Sequence, residues 1–394
     1  MIVTLKDITT KITKGTTPTS IGCKFEKSGI NFIKSESLVD GKTIDKSKFA
    51  FISERTHERL KRSQIEENDI LFSMAGMFLG KTGIATAEVV PANTNQAVAI
   101  IRVDDTKANY EYVYYYLNQK SVIHTINTTS AQSAQPNINL KQIGKIKINL
   151  PDRKKQDQIV SLLSAIDLKI SNNVEINDNL YDLVNTLYTK LFKDTDCEMT
   201  TVEDYVDCIY SGGTPATSNM AYWNGNLNWL SSGETRNRFV ISTEKTITQL
   251  GADNSSTKSA QKYDIVIASA GQGFTRGQTS MLLLNTYINQ SVIVLHAKKT
   301  VLPYLFWNLT NRYDDLRAIS DSSSIRGSLT TKMLSKLKIP KVEDSLILKF
   351  SEFAWSIIPQ IENNLIENKR LTDLRDSLLP KLMSGEIDVS DIRL

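Results

Sequence analysis

Two hydrophobic periods take turns along this 394-residue chain. The first belongs to strands. Residues 29–35 (Gly-Ile-Asn-Phe-Ile-Lys-Ser) and 226–232 (Asn-Leu-Asn-Trp-Leu-Ser-Ser) alternate apolar with polar positions, which predicts half-buried strands. Residues 69–76 and 264–271 run almost wholly apolar into a glycine, which predicts buried strands that open into Gly-rich loops. Residues 95–98 and 289–292 predict a further strand, and residues 112–117 and 304–309 a short aromatic helix. The period then lengthens. From Ile159 the apolar positions Leu163, Ile166, Ile170, Leu180, Val184, Leu187 and Leu191 step by three and four, the spacing of a heptad seam. A helix from Arg153 to Phe192 would span about 60 Å. Leu371, Leu378 and Leu382 carry a second seam, in which Pro359 predicts a kink or break near residues 356–358, and Pro380 falls near the end.

The pattern is written twice. Gly15-Thr16-Thr17-Pro18 returns as Gly212-Gly213-Thr214-Pro215, and Ile170-Ser171-Asn172-Asn173 as Ile361-Glu362-Asn363-Asn364. Ser133, Lys141, Lys145, Lys147 and Ile148 return as Ser324, Lys332, Lys336, Lys338 and Ile339. The predicted fold class is α+β: two similar mixed α/β modules at 1–150 and 198–340, separated by two long helices at 151–197 and 341–394. Matching seams predict that the helices pack as an antiparallel coiled coil with pseudo-two-fold symmetry. Such a molecule suits a target that also comes in two halves. Asn173, Asn177, Asn364 and Asn368 interrupt the seams. In a seam they would fix register and so the separation of the modules. The alternative places them in solvent at a helix break near residue 170. Leu168 and Trp355 are candidates to face partner subunits rather than the core.

Composition is that of a folded globular protein, 40% hydrophobic and 23% charged, and no apolar run is long enough to span a bilayer. The first residues lack a signal peptide's apolar stretch, so a cytoplasmic location is expected. Three scattered cysteines give neither a disulfide framework nor zinc spacing. A net charge of +4 permits nucleic-acid binding without demanding it. Residues 75–82 nearly match a phosphate-binding loop ending in Lys81-Thr82. A β-like segment follows, however, where such a loop requires a helix, and the second copy has no Gly-Lys-Thr. His57, His124 and His296 lie far apart, so no metal site or catalytic triad is expected. The loops instead carry side chains that suit base edges and phosphates. In the first copy the candidates are Lys14, Thr16, Thr17, Lys34, Ser35, Glu36, Ser73, Lys81, Gln96, Ser133 and Gln135. In the second they are Ser211, Thr214, Ser231, Ser232, Glu234, Arg236, Arg238, Gln272, Arg276, Gln290, Ser324 and Arg326. Glu36 and Glu234 are included because a carboxylate can accept from a cytosine amino group.

Three stretches carry a family resemblance. They are Ile148-Asn149-Leu150-Pro151 leading into residues 156–167, residues 177–192, and the C-terminal run 371–387 with its Leu-Leu-Pro-Lys-Leu-Met-Ser-Gly-Glu-Ile. Together with the Gly-x-Thr-Pro loops they resemble the specificity subunit of type I restriction–modification systems over the whole chain. The family's usual Glu-Gln after the proline is Lys155-Gln156 here, and the second copy lacks the Gln-rich start. The resemblance implies a non-catalytic subunit with two target-recognition domains, each reading half of a bipartite double-stranded DNA site. The two modules differ in their loops, so that site should be asymmetric. The helices would set the half-site spacing and dock two methyltransferase subunits, and a restriction/translocase subunit would join them. S-adenosylmethionine, ATP and magnesium would belong to those partners, with no cofactor in this chain and no membrane contact. Two other readings stand beside this one: a coiled-coil adaptor with two non-DNA ligand modules, and a nucleotide hydrolase using Lys81 and Thr82.

Overall fold

A computed structural model describes residues 1–39, 41–130, 137–192, 198–271, 273–321 and 327–389. The chain divides into two compact units, one formed by Met1–Leu168 with Leu371–Leu394, the other by Lys169–Arg370.

In the first unit, a four-stranded sheet has the order Thr9–Lys14, Val98–Val103, Ile70–Ser73, Thr82–Ile84. A second sheet has the order Ala50–Ile52, Ile30–Ile33, Ala92–Thr94, Gln64–Ile65. The near-continuous apolar sequence of the central strands follows from burial on both faces. Ile70 and Phe72 join Ala99 and Ile101 in a core shared with the aromatic helix Tyr110–Leu117. Leu71 points the other way with Val98 and Ile100, into a core with Ile33 and Ala92 of the second sheet. Each such side chain contributes about 1.5–3 kcal/mol by leaving water.

The second unit repeats the arrangement. Its larger sheet runs Val206–Ser211, Val292–Ala297, Ile265–Ala268, Thr279–Leu282, Phe239–Val240. Its smaller one runs Lys245–Ile247, Trp223–Leu230, Thr286–Ile288, Lys258–Ala260. Again Ile265 and Ile267 enter one core and Val266 the other. The expected strands at 95–98 and 289–292 begin later than the sequence suggested, at Val98 and Val292. Asn95 and Asn289 instead each accept a hydrogen bond from the backbone two residues on, at 3.0 Å in both copies. That local bond makes a turn where a strand was expected.

Each module is closed by its own ends. Ile2–Thr4 pairs antiparallel with Lys147–Asn149, and Met199–Thr201 with Lys338–Pro340. The aromatic helix fastens the closing strand, because the Tyr112 hydroxyl donates to the Asn149 carbonyl at 2.6 Å and the Tyr304 hydroxyl to the Pro340 carbonyl at 2.8 Å. A long helix leaves at each closure: Arg153–Phe192 and Asp344–Ser384. At the first junction Gln156 is buried, donating to the Pro151 carbonyl and accepting from the Asn109 N–H, both at 2.9 Å.

The second helix does not break at Pro359, contrary to the sequence expectation. A proline there removes one backbone bond. The helix stays continuous because Phe350, Ala354, Ile358 and Ile361 are all buried on one face, where tertiary packing offsets the lost bond. In the first helix the buried face of the C-terminal half is Tyr181, Val184, Tyr188 and Phe192, with Leu187 and Leu191 beside it. Tyr181 stacks on the module's Trp307, Tyr188 meets its Tyr304 at a tilt, and Phe192 meets Phe350 of the second long helix edge to face. Trp355, expected to face a partner, is engaged within its own unit: its ring meets Tyr263 at 4.8 Å and its Nε1 donates to the Lys299 carbonyl. Leu168 is exposed. No helix among the described residues is long and apolar enough to cross a membrane.

Candidate nucleic-acid interface

In both units the Gly-x-Thr-Pro loop lies against the turn before the central strand. The Thr16 N–H donates to the Thr94 carbonyl at 3.0 Å, and the Gly213 N–H to the Ile288 carbonyl at 3.1 Å. Glycine is required by this approach, since a Cβ on Gly15 would sit 1.8 Å from the Thr94 carbonyl oxygen and one on Gly212 would sit 2.1 Å from that of Ile288. The threonine that follows does the same work twice. Thr17 Oγ1 donates to Gln96 Oε1 at 2.5 Å, and Thr214 Oγ1 to Gln290 Oε1 at 2.5 Å. Both glutamines are exposed. With the carbonyl end tied down, the amide nitrogen is the end left to reach a ligand.

Around this point each module gathers a rim. Lys14 and Ser211 end the first strand, next to the loop. Ile33 pairs with Thr94, which carries Lys34, Ser35 and Glu36 to the same edge; Leu230 pairs with Ile288 and carries Ser231 and Ser232 there. A loop from the central strand completes the rim, because the Met74 N–H bonds the Ala97 carbonyl and the Ser269 N–H the Ser291 carbonyl, each at 2.8 Å. The polypeptide returns to the same loop, where Ile138 donates to the Met74 carbonyl and Leu329 to that of Ser269.

The candidates do not all present themselves alike. Lys14, Thr16, Thr17, Lys34, Ser35, Glu36, Lys81, Gln96, Ser211, Thr214, Ser231, Ser232, Arg236, Arg238 and Gln290 keep exposed or half-exposed positions. Ser73 and Glu234 do not. Ser73 is fully buried in its strand. Glu234 is 6% exposed, and its carboxylate accepts from the Ser231 N–H at 2.8 Å, the Ser231 hydroxyl at 2.9 Å and the Glu244 N–H at 2.7 Å. Arg276 is held by Asp321 and the Gly327 carbonyl. Ser133, Gln135, Gln272, Ser324 and Arg326 lie outside the described residues.

The geometry at Lys81 and Thr82 does not suit a nucleotide hydrolase. Thr82 opens a strand rather than a helix, and its buried hydroxyl bonds Asn118 at 2.9 Å. That geometry lacks the helix N-terminus a phosphate would need. Among the described residues no group of His, Cys, Asp and Glu could hold a metal ion. His296 instead pairs with Asp264 at 2.5 Å, where the first copy has a bidentate Arg102–Asp69 pair at 2.8 Å. Burial pushes the Asp264 carboxyl above its ordinary range, against the opposing bonds from the Gln261 N–H and His296.

The seam asparagines meet one another within the second unit. Asn173 Nδ2 donates to Asn368 Oδ1 at 2.9 Å, and Asn364 Nδ2 to Asn177 Oδ1 at 2.8 Å. Asn177 and Asn368 then reach the carbonyls of Ile361 at 3.3 Å and Ile170 at 3.2 Å. The equivalences of the duplication map this set onto itself, and residue numbers run in opposite directions, so the helices are antiparallel there. Asn173 is 1% exposed, and the helix is unbroken at residue 170.

Lys42, which sequence reasoning passed over, is equivalent to Arg238, named there only as a DNA candidate. The backbone carbonyl of each accepts from a sheet strand, Lys42 from the Ile84 N–H and Arg238 from the Met281 N–H, both at 2.9 Å. Each side chain then reaches the first long helix. Lys42 lies 4.5 Å above the Tyr115 ring and bonds Ser164 at 2.8 Å; Arg238 lies 4.2 Å above the Tyr181 ring and bonds Asp178 at 3.4 Å. Arg238 was read only as a DNA candidate. The sequence signal that could have paired it with Lys42, a cation just past the post-strand turn in both copies, is weak.

Comparison with known proteins points one way. The type I restriction modification DNA specificity domain matches residues 1–181 and again 195–370. The specificity subunit of the HindI type I restriction enzyme of Haemophilus influenzae is 22% identical over 357 residues, covering 70% of this chain and 77% of that one. The EcoR124I/EcoR124II specificity subunit of Escherichia coli is 25% identical over 266 residues, covering 63% of each. Among solved structures, the S subunit of a type I restriction–modification system from M. genitalium superposes with a TM-score of 0.59 at 16% identity, over 97% of this chain and 95% of that one.

Proposed function

This chain belongs to the type I restriction–modification DNA specificity family, and on that premise we propose how it divides the work of reading DNA. Its role is recognition rather than catalysis. The module at 1–150 reads one half of a bipartite duplex site and the module at 198–340 reads the other. The rims are the reading surfaces: Lys14, Thr16, Thr17, Lys34, Ser35, Glu36, Lys81 and Gln96 in one, and Ser211, Thr214, Ser231, Ser232, Arg236 and Gln290 in the other, while Arg238 is turned to the first long helix. Lysine and arginine hold phosphates and guanine edges, and the glutamine amides reach base edges from their threonine-fixed positions.

The observation that carries this reading is the repetition of the Thr–Gln pair with unlike neighbours. Thr17–Gln96 and Thr214–Gln290 share one geometry. Around them Lys14 stands where Ser211 does, and Lys34 where Ser231 does. A constant frame with different readers fits an asymmetric site. The helices at 151–197 and 341–394 set the spacing through the Asn173, Asn177, Asn364 and Asn368 register. They also dock two methyltransferase subunits, which with the restriction subunit hold S-adenosylmethionine, ATP and magnesium.

The test is methylation mapping. The chain is expressed with its methyltransferase partner in a host that lacks adenine methylation, and methylated adenines are located across the genome. Two short, different half-sites separated by an unread spacer are expected. A single undivided site, or no sequence preference, would overturn the reading.

A further inference from the structure

The loop that follows the central strand ends in an apolar side chain held out in water, and it does so in both modules. Met77 is 89% exposed and Phe274 82%. The loops around them are built alike. Gly76-Met77-Phe78-Leu79-Gly80 begins and ends on glycines at φ +69° and +86°, and Gly273-Phe274-Thr275-Arg276-Gly277 on glycines at +62° and +86°. Only glycine adopts such angles without strain. The closing bonds also match: Gly80 N–H to the Ser73 carbonyl at 3.0 Å, Gly277 N–H to the Ala268 carbonyl at 2.9 Å. Lys81 and Gln278 carbonyls accept from Ser73 and Ala268 at 2.8 and 3.0 Å.

The tips are therefore fixed rather than loose. Leu79 packs onto the module's core behind Met77. Behind Phe274 the loop is pinned by the Tyr313 hydroxyl, which donates to the Phe274 carbonyl at 2.9 Å, and by Arg317, which donates to the Gly273 carbonyl at 2.5 Å. Sequence identity within the loops is low, yet the residue after the first glycine is large and apolar in each. An exposed apolar side chain gains nothing for the fold, and its burial is left for a ligand to supply. The base of each loop is tied to the rim next to its glutamine, Met74 N–H to the Ala97 carbonyl and Ser269 N–H to the Ser291 carbonyl, and each tip lies a few residues further along.

We infer that Met77 and Phe274 are wedges: each enters the base stack of the half-site its own module reads. The inference rests on the DNA-reading function proposed above. Phenylalanine and methionine are side chains that proteins insert between base steps, where partial unstacking is offset by apolar contact. Hydrogen-bonding side chains on the rim would read base edges, and the wedge would hold the step open beside them.

The test uses the full chain in complex with its methyltransferase partner. The duplex is the site that mapping returns for the wild-type complex, carrying 2-aminopurine at one position at a time. Wild-type complex should raise the fluorescence at one step in each half-site. Phe274→Ala should abolish the rise in one half only and weaken binding about tenfold or more, in line with base-stacking contributions. Met77→Ala should act on the other half only. Phe274→Trp and Met77→Leu should restore both signals. Both residues are surface-exposed, so circular dichroism should be unchanged in every variant. If the alanine variants keep wild-type affinity and fluorescence on a site the wild-type complex binds specifically, the wedge is wrong and the DNA-reading function stands. If the wild-type complex binds no site specifically, the function itself is wrong and the wedge falls with it.

Discussion

Glu36 and Glu234 read alike in sequence, three and four residues past a strand, and both are DNA candidates on that reading. They are one register apart. Ile33 and Leu230 occupy equivalent places in their sheets, so Ser37, not Glu36, stands where Glu234 does. Ser37 N–H bonds the Lys34 carbonyl at 3.0 Å, as Glu234 N–H bonds that of Ser231 at 3.2 Å, and both are buried. Glu36 points outward and pairs with Lys34 at 3.6 Å. The two carboxylates therefore predict opposite phenotypes. Glu234→Ala leaves the part-buried Ser231 and Glu244 N–H groups without their acceptor, which costs about 1 kcal/mol or more. Urea denaturation should register that loss, while the mapped methylation site stays the same. Glu36→Ala should leave the denaturation midpoint alone and relax one half-site. Gly233 stands where Glu36 does, so the two glutamates occupy neighbouring rather than equivalent positions, which a pairing by residue type overlooks.

At the scale of elements, much of the architecture was legible. Burial on both faces writes an unbroken apolar run, which is why the strands at 70–73 and 265–268 could be read. The first long helix was readable to its ends because a three-and-four period over 40 residues has few alternatives. The second was harder. Pro359 is a local signal for a break, while the packing of Phe350, Ala354, Ile358 and Ile361 that overrides it depends on residues distant in sequence. Partners of the rim, such as the Thr17–Gln96 bond across the sheet, were likewise beyond sequence reach. The asparagine set yields a prediction at this scale. Asn173→Leu removes the donor to Asn368 and Glu367 but adds apolar seam, so the helices should stay paired while their register loosens. Cysteine pairs placed along the two helices should then crosslink in more than one register. Crosslinking in the native register alone would show that Asn173 does not set it.

For the molecule as a whole, the two long helices carry the proposed ruler. Deleting one heptad from each keeps the seam in phase and shortens each by about 10 Å. At 3.4 Å per base pair the unread spacer should shrink by about three base pairs, with both half-sites unchanged. Methylation mapping of the deletion variant would reveal it, and altered half-sites would mean that the helices do more than measure. The strand pairs that close each module, Ile2–Thr4 on Lys147–Asn149 and Met199–Thr201 on Lys338–Pro340, have a consequence of a different kind. They bring the start and finish of each reader side by side at a seam of three residue pairs. A genetic crossover at those two points would transplant an entire reader while leaving the helices intact. Such a gene can change its target wholesale by recombination, without passing through the intermediate steps that point mutation would impose.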